Sequence, residues 1–159
     1  MGREPGATGD EALFEHLYPG LRRWAAATGP ADVDPDDLIQ EAVARTLRHH
    51  ALCDLDDPGA YLRRAIVNLA ANHRRGLARW RSAVARLGRT DEARSAEYAS
   101  DLADLLRVAP GARAVLFLVE VEGHSYAEAA QLLEISEEAA RARAARARRR
   151  LRLDIEGEQ

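Results

Sequence analysis

Apolar positions recur along this chain at steps of three and four, the spacing that places residues on one face of an α-helix. In "EALFEHLYPGLRRWAAATG", Phe14, Leu17, Leu21 and Trp24 share such a face, and Pro19 either kinks the helix or starts its second half. "DVDPDDLIQEAVARTLRHH" carries the clearest signal. Asp34 suits an N-cap, Pro35 the first turn, and Asp36 and Asp37 the positive end of the helix dipole. Leu38, Ile39, Ala42, Val43, Thr46 and Leu47 then form the apolar stripe. "ALCDLDD" reads as a loop, and Asp57-Pro58 opens the next helix, which runs through "AYLRRAIVNLAANHRR" with Leu62, Ile66 and Leu69 on its buried face. A helix is expected near 97–107, followed by a break at Pro110-Gly111. "ARAVLFLVEVEG" has the composition of a strand, but its neighbours are helical and helix is the expectation. No internal repeat is present.

The last fifty residues contain two short capped helices. Ser125 with Glu128 three residues later matches a capping box in front of "SYAEAAQLLE". After a link at Ile135, Ser136 caps a final helix with Glu137 and Glu138 in its first turn. Two capped helices around a tight turn are the layout of a helix-turn-helix. Ala140, Ala144, Ala147 and Leu151 share the inward face of the second. Arginine fills much of the remaining circumference: "RARAARARRRLR" holds seven in twelve positions, with no acidic residue from 139 through 153. Like charges repel along such a helix, so an external polyanion explains it better than a solvated face does.

Composition sharpens this picture. The chain has 159 residues and a formal net charge of −3, with no lysine, so its permanent positive charge is carried by arginine. A second cluster spans 58–90, where eight arginines occur without one acidic residue. On its helix Asn68 and Asn72 lie four apart, before Arg74 and Arg75. The following "TDEARSAEYASD" is polar and acidic and is expected to link two small helical domains. The single Cys53 excludes an intrachain disulfide. No apolar run approaches the roughly 18 residues of a membrane span, and the start lacks a signal-peptide pattern. A cytoplasmic protein without membrane insertion is expected.

These segments resemble, in order, the extracytoplasmic-function (ECF) sigma factors of bacterial RNA polymerase. "DPDDLIQEAVARTL" is similar to the family's D-L-V-Q-E helix. "AYLRRAIVNLAANHRR" is similar to its A-W-L-Y-R-I-A-R-N-L-A-x-D-H-x-R-R segment. "EGHSYAEAAQLLEISEEAARARAARARRRLR" is similar to its E-G-x-S-Y-x-E-I-A-x-x-L-G-I-S-x-x-T-V-K-S-R-x-x-R-A-R-x-x-L helix-turn-helix. The resemblance implies an all-α chain: a tail over 1–9, sigma domain two over 10–88, a flexible linker over 89–98, sigma domain four over 99–153, and a tail over 154–159. It implies a transcription initiation factor that binds core RNA polymerase and promoter DNA and is held by an anti-sigma factor, with no cofactor, no metal and no catalysis.

Residue by residue, the resemblance implies that Asp37, Leu38, Gln40, Glu41 and Arg45 meet the polymerase clamp. Tyr61, Arg64, Asn68, Asn72, Arg74 and Arg75 would serve the minus-ten element, with Leu52 to Asp56 where the family varies its base pocket. Ser136, Arg141, Arg143, Arg146 and Arg149 would serve the minus-thirty-five element, Arg141 and Arg143 nearest the bases. The chain departs from the family pattern at several positions. Glu134 stands where the family has Gly in the turn, at a strain on the order of 1 kcal/mol if φ is positive. Ala129 and Ala144 replace Ile and Leu, thinning the core. Ala139 and Ala142 replace Thr and Ser, and Tyr61 replaces Trp.

Two other readings compete. A stand-alone helix-turn-helix regulator leaves 34–90 without a purpose, and a protein-only helical adaptor leaves both arginine segments unexplained. His49, His50 and Cys53 near Asp54, Asp56 and Asp57 match no zinc template, and no nucleophile or phosphate-loop motif occurs.

Overall fold

The computed structural model describes residues 5–86 and 107–156, and among them every regular element is helical. The first domain is built from α1 (Pro5–Thr28), α2 (Pro35–Leu47), a 3₁₀ turn (Leu52–Asp54) and α3 (Pro58–Arg86). The second contains α4 (Pro110–Leu116), a π turn (Phe117–Val121), α5 (Tyr126–Leu133) and α6 (Glu137–Glu156). The expected linker at 89–98 and most of the helix expected near 97–107 lie outside the described residues.

Local chemistry sets the helix starts. The Asp34 carboxylate accepts from the Asp36 amide at 2.8 Å, and Asp57 accepts from the Ala60 amide at 2.8 Å. Both satisfy first-turn donors that the helix itself leaves unpaired. The capping box forms in full: Ser125 Oγ accepts from the Glu128 amide at 3.2 Å, and Glu128 accepts from the Ser125 amide at 2.7 Å. That amide, with the Ser125 hydroxyl, holds the Glu128 carboxyl below its usual range. Ser136 Oγ accepts from the Ala139 amide at 3.1 Å and starts α6.

Two sequence expectations need correction. Helix α1 begins at Pro5, inside the segment read as a tail over 1–9, because Pro5 is pre-set for a first turn. Pro19 lies inside this helix, which continues past it, in keeping with the expectation of a kink or a second half there. At the other end α6 extends to Glu156, past the expected boundary at 153. The strand-like "ARAVLFLVEVEG" is helical as expected, though its second half widens into the π turn.

The first domain packs around large side chains. Leu21, Trp24, Ile39, Leu52, Leu62 and Ile66 are each at most 2 % exposed. Gly29 allows α1 and α2 to meet: a Cβ there would lie 2.6 Å from both the Ala25 carbonyl oxygen and Leu38 Cδ1. The second domain packs around Val115, Ala130, Ala140 and Ala144, with Val108, Ala112 and Ala147 beside them. The two domains do not stand apart. Ala114, Leu118 and Ala129 join the first domain's core, and the Phe117 ring meets Trp24 edge-on with centroids 5.6 Å apart.

Candidate nucleic-acid interface

The exposed face of α2 follows from its burial pattern. Leu38, Ile39, Ala42 and Thr46 turn inward, and the Thr46 hydroxyl donates to the Ala42 carbonyl at 2.8 Å, which makes its burial tolerable. Asp37, Gln40, Glu41 and Arg45 are left outward, with Arg45 paired to Glu41 at 2.5 Å. Leu38 does not belong to that face. At 6 % exposed it seats α2 against Gly29.

On α3 the arginines divide into two groups. Asn68, Asn72, Arg74 and Arg75 are exposed, and Arg75 donates to Asn72. Arg63 and Arg64, and Arg74 through its bond to the Arg107 carbonyl, reach the second domain. Arg63 grips Glu122 with two bonds of 2.7 and 3.1 Å and lies over the Trp24 ring, whose Nε1–H donates to the Arg63 carbonyl at 3.0 Å. Arg64 donates to the Leu132 carbonyl at 3.0 Å and pairs with Glu134 at 3.1 Å. Tyr61 lies beneath the Arg64 guanidinium, 5.8 Å from ring centroid to Cζ.

Helix α6 also divides. Its alanine face is buried, while Arg146 and Arg149 point to solvent. Arg141 is not the uncompensated charge its neighbourhood in sequence suggested. Glu137, one turn earlier, accepts from it at 2.6 and 3.0 Å, and the Tyr126 ring lies under it at 4.8 Å. Arg148 donates to the Tyr126 hydroxyl at 2.8 Å and to Glu120, whose hydrogen bond raises its affinity for the proton further. Arg143 turns toward α4, where a Cβ on Gly111 would come within 3.1 Å of its Nη1.

Arg143 thereby enters a cleft of about 590 Å³ between the domains, with Tyr61, Arg64 and Asn68 on the opposite wall and Glu134 at its edge. Residues expected at two separate promoter elements thus face each other across one seam. Asn72, Arg75, Arg146 and Arg149 remain outside this cleft.

The sequence did not single out the seam's own fasteners. Arg113, 3 % exposed, donates from Nη2 to the Thr28 carbonyl at the end of α1 at 2.7 Å. A cation at a helix C-terminus meets both the dipole and an orphan carbonyl. The one available signal was an arginine inside the apolar "ARAVLFLV". His49, His50 and Cys53 are exposed, and the Cys53 amide donates to Asp10 at 2.9 Å. Among the described residues no group of three His, Cys, Asp or Glu is gathered to hold a metal ion, and no helix is long and apolar enough to cross a membrane.

Comparison with known proteins accords with this geometry. Residues 13–81 match Sigma-70 region 2, and residues 105–151 match Sigma-70, region 4. These matches take in α2, most of α3 and the helix-turn-helix. The chain belongs to the sigma-70 family, with regions 2 and 4 in the minimal layout of an extracytoplasmic-function sigma factor. It is a transcription initiation factor by that membership.

Two solved structures share the fold. One is the sigma factor RpoE in complex with the anti-sigma factor NepR from Bartonella quintana, 18 % identical with a TM-score of 0.56, covering 94 % of this chain and 98 % of that one. The other is CnrH in complex with the cytosolic domain of CnrY, 27 % identical with a TM-score of 0.56, covering 96 % and 91 %. No curated protein sequence is significantly similar to the chain.

Proposed function

We propose that the outward face of α2, carrying Asp37, Gln40, Glu41 and Arg45, docks on core RNA polymerase. The exposed polar residues of α3, Asn68, Asn72, Arg74 and Arg75, then meet the minus-ten element, and Arg146 and Arg149 with the rest of α6 meet the minus-thirty-five element. The observation that carries this reading is the separation of roles on each helix. Apolar residues hold the fold, while the polar face of α2 and the outward arginines of α3 and α6 lie outside its core. Arginine forks suit phosphate backbones, and each neutralised phosphate contributes about 0.9 to the salt slope of binding.

In this assignment Arg64, Asn68, Arg74 and Arg143 act only after the seam opens, because all four line clefts between the domains. The related RpoE is solved in complex with an anti-sigma factor, and a partner of that kind suits a chain in which some promoter-facing residues, Arg64 and Arg143 among them, are turned inward. The protein acts as a regulator in the cytoplasm and does no catalysis of its own.

The test is co-elution with bacterial core RNA polymerase, with Asp37→Arg as the control. Asp37 is exposed and has no packing role, so the variant folds and loses polymerase binding by about tenfold or more, the order expected for a reversed interfacial charge. Polymerase binding unchanged by Asp37→Arg would overturn the α2 assignment. Duplex binding without any polymerase binding would favour the lone helix-turn-helix regulator.

A further inference from the structure

A second cavity, of about 350 Å³, lies on the same seam but away from the cleft of Tyr61 and Glu134. Its walls come from the α1–α2 loop, α3, the start of α4 and the end of α6. Arg74, Arg81, Arg107, Arg113 and Arg150 all line it. Asp32 is the single carboxylate among the described lining residues, and it is engaged by His73 at 3.0 Å, which holds its carboxyl below the usual range. Three separate parts of the chain thus deliver like charge to one concavity.

Such a cluster on an open surface could be left to water. Arg113 is not on an open surface. It is 3 % exposed, and its Nε and Nη1 are buried without a hydrogen-bond partner, while Nη2 alone is satisfied by Thr28. Unpaired buried donors on a cation are costly and call for an acceptor. Burial, with Arg74 nearby, lowers Arg113 to about 10, so it stays charged at neutral pH. Arg74 in turn donates to the Arg107 carbonyl at 3.2 Å, which fixes its guanidinium beside the cavity. The acceptor this arrangement lacks is a compact, multiply charged oxyanion, matched by guanidinium forks in number and geometry.

We propose that this cavity is a phosphate-binding site whose occupant joins α3 of the first domain to α4 and α6 of the second. A phosphoryl group there accepts from arginines of both domains at once and so stabilises their packed arrangement. Arg81, Arg113 and Arg150 are assigned to the site in addition to Arg74. The phosphate can come from a small phosphorylated molecule or from a nucleic-acid backbone. Arg74 is shared with the minus-ten assignment, so the test turns on Arg81, Arg113 and Arg150, which that assignment does not use.

The experiment titrates the full chain with sodium pyrophosphate, against sodium chloride at matched ionic strength, by calorimetry and thermal melting. Saturable one-to-one binding with a raised melting temperature is expected. The double variant Arg81→Ala, Arg150→Ala removes two exposed rim cations and weakens that binding by about tenfold or more for each guanidinium removed. Arg113→Met abolishes it, with circular dichroism confirming the fold, and the rim variant decides the matter if Arg113→Met does not fold. A parallel titration with promoter duplex separates the sources. Duplex affinity unchanged in the rim variant assigns the site to a small phosphorylated ligand. Duplex affinity lowered, with pyrophosphate competing, assigns it to backbone phosphate. Pyrophosphate binding that is absent, or unaltered by the rim variant, together with unaltered duplex binding, overturns the proposal.

Discussion

The two domains solve the same packing problem with different material. Around Trp24, the first domain buries Leu21, Ile39, Leu52, Leu62 and Ile66, large side chains that each remove much apolar surface from water. The second relies on Val115 and on Ala130, Ala140, Ala144 and Ala147. Alanine brings helices close but buries little. The difference explains why the second domain also leans on the first: Phe117, Leu118 and Ala129 pack into the Trp24 core, and Arg113, Glu122 and Glu134 tie the seam with polar contacts. A domain with a thin core obtains part of its stability from its neighbour, and that part is lost whenever the two separate.

The largest break in this comparison is Trp24→Ala. The side chain is fully buried, donates to the Arg63 carbonyl, and touches Phe117 across the seam. A cost of about 3–5 kcal/mol is expected. Urea unfolding followed by circular dichroism checks it, and both domains should respond because they share that core. A loss below about 1 kcal/mol, well under the usual cost of emptying such a site, would mean that the second domain does not depend on the Trp24 cluster.

Ala144→Leu tests the other side. The family has Leu there, and a sequence argument says that restoring it fills a thin core. The structure says otherwise: Ala144 and its neighbour Ala140 are fully buried, and the helices have closed down around the small side chains. Adding three carbons forces off-rotamer side chains or a backbone shift, at about 1–3 kcal/mol. Thermal melting that showed Ala144→Leu to be stabilising would refute the close fit and restore the picture of an underfilled core.

Much of each domain was legible because its signals are local or periodic. Asp34, Ser125 and Ser136 announce helix starts by residue type, and the stripes of α2, α3 and α6 follow the helical repeat. The seam was not legible. Arg113 meets Thr28 across 85 positions and Arg63 meets Glu122 across 59, distances at which no pattern in one sequence links the partners. Arg141 was misjudged for a nearer reason: the acid-free stretch begins at 139, and its partner Glu137 lies one turn before it. Leu38 shows the converse case, a residue inside a recognition motif that packs against the core. The exposure of Leu47 at 48 %, last on an otherwise buried stripe, shows where the helix outruns its core.

The smallest expected effect lies at the turn between α5 and α6. Glu134 adopts φ 53° and ψ 46°, the left-handed conformation that favours glycine. Side-chain crowding there costs about 1–2 kcal/mol relative to an unstrained residue. Glu134→Gly relieves it, but glycine gives back about 0.4–1 kcal/mol through the unfolded chain. It also removes the ion pair with Arg64, which is screened because the Glu134 side chain is 70 % exposed and is worth at most about 0.5 kcal/mol. The balance is a gain of about 0.5 kcal/mol, seen as a rise of roughly 1–2 °C in melting temperature. A fall instead would make Arg64–Glu134 a stronger tie than its exposure allows. Arg64→Ala, alone and combined with Glu134→Gly, then isolates that tie: additive effects leave turn strain as the governing term, and non-additive effects show that the second domain keeps an ill-suited residue in its turn because that residue holds the first.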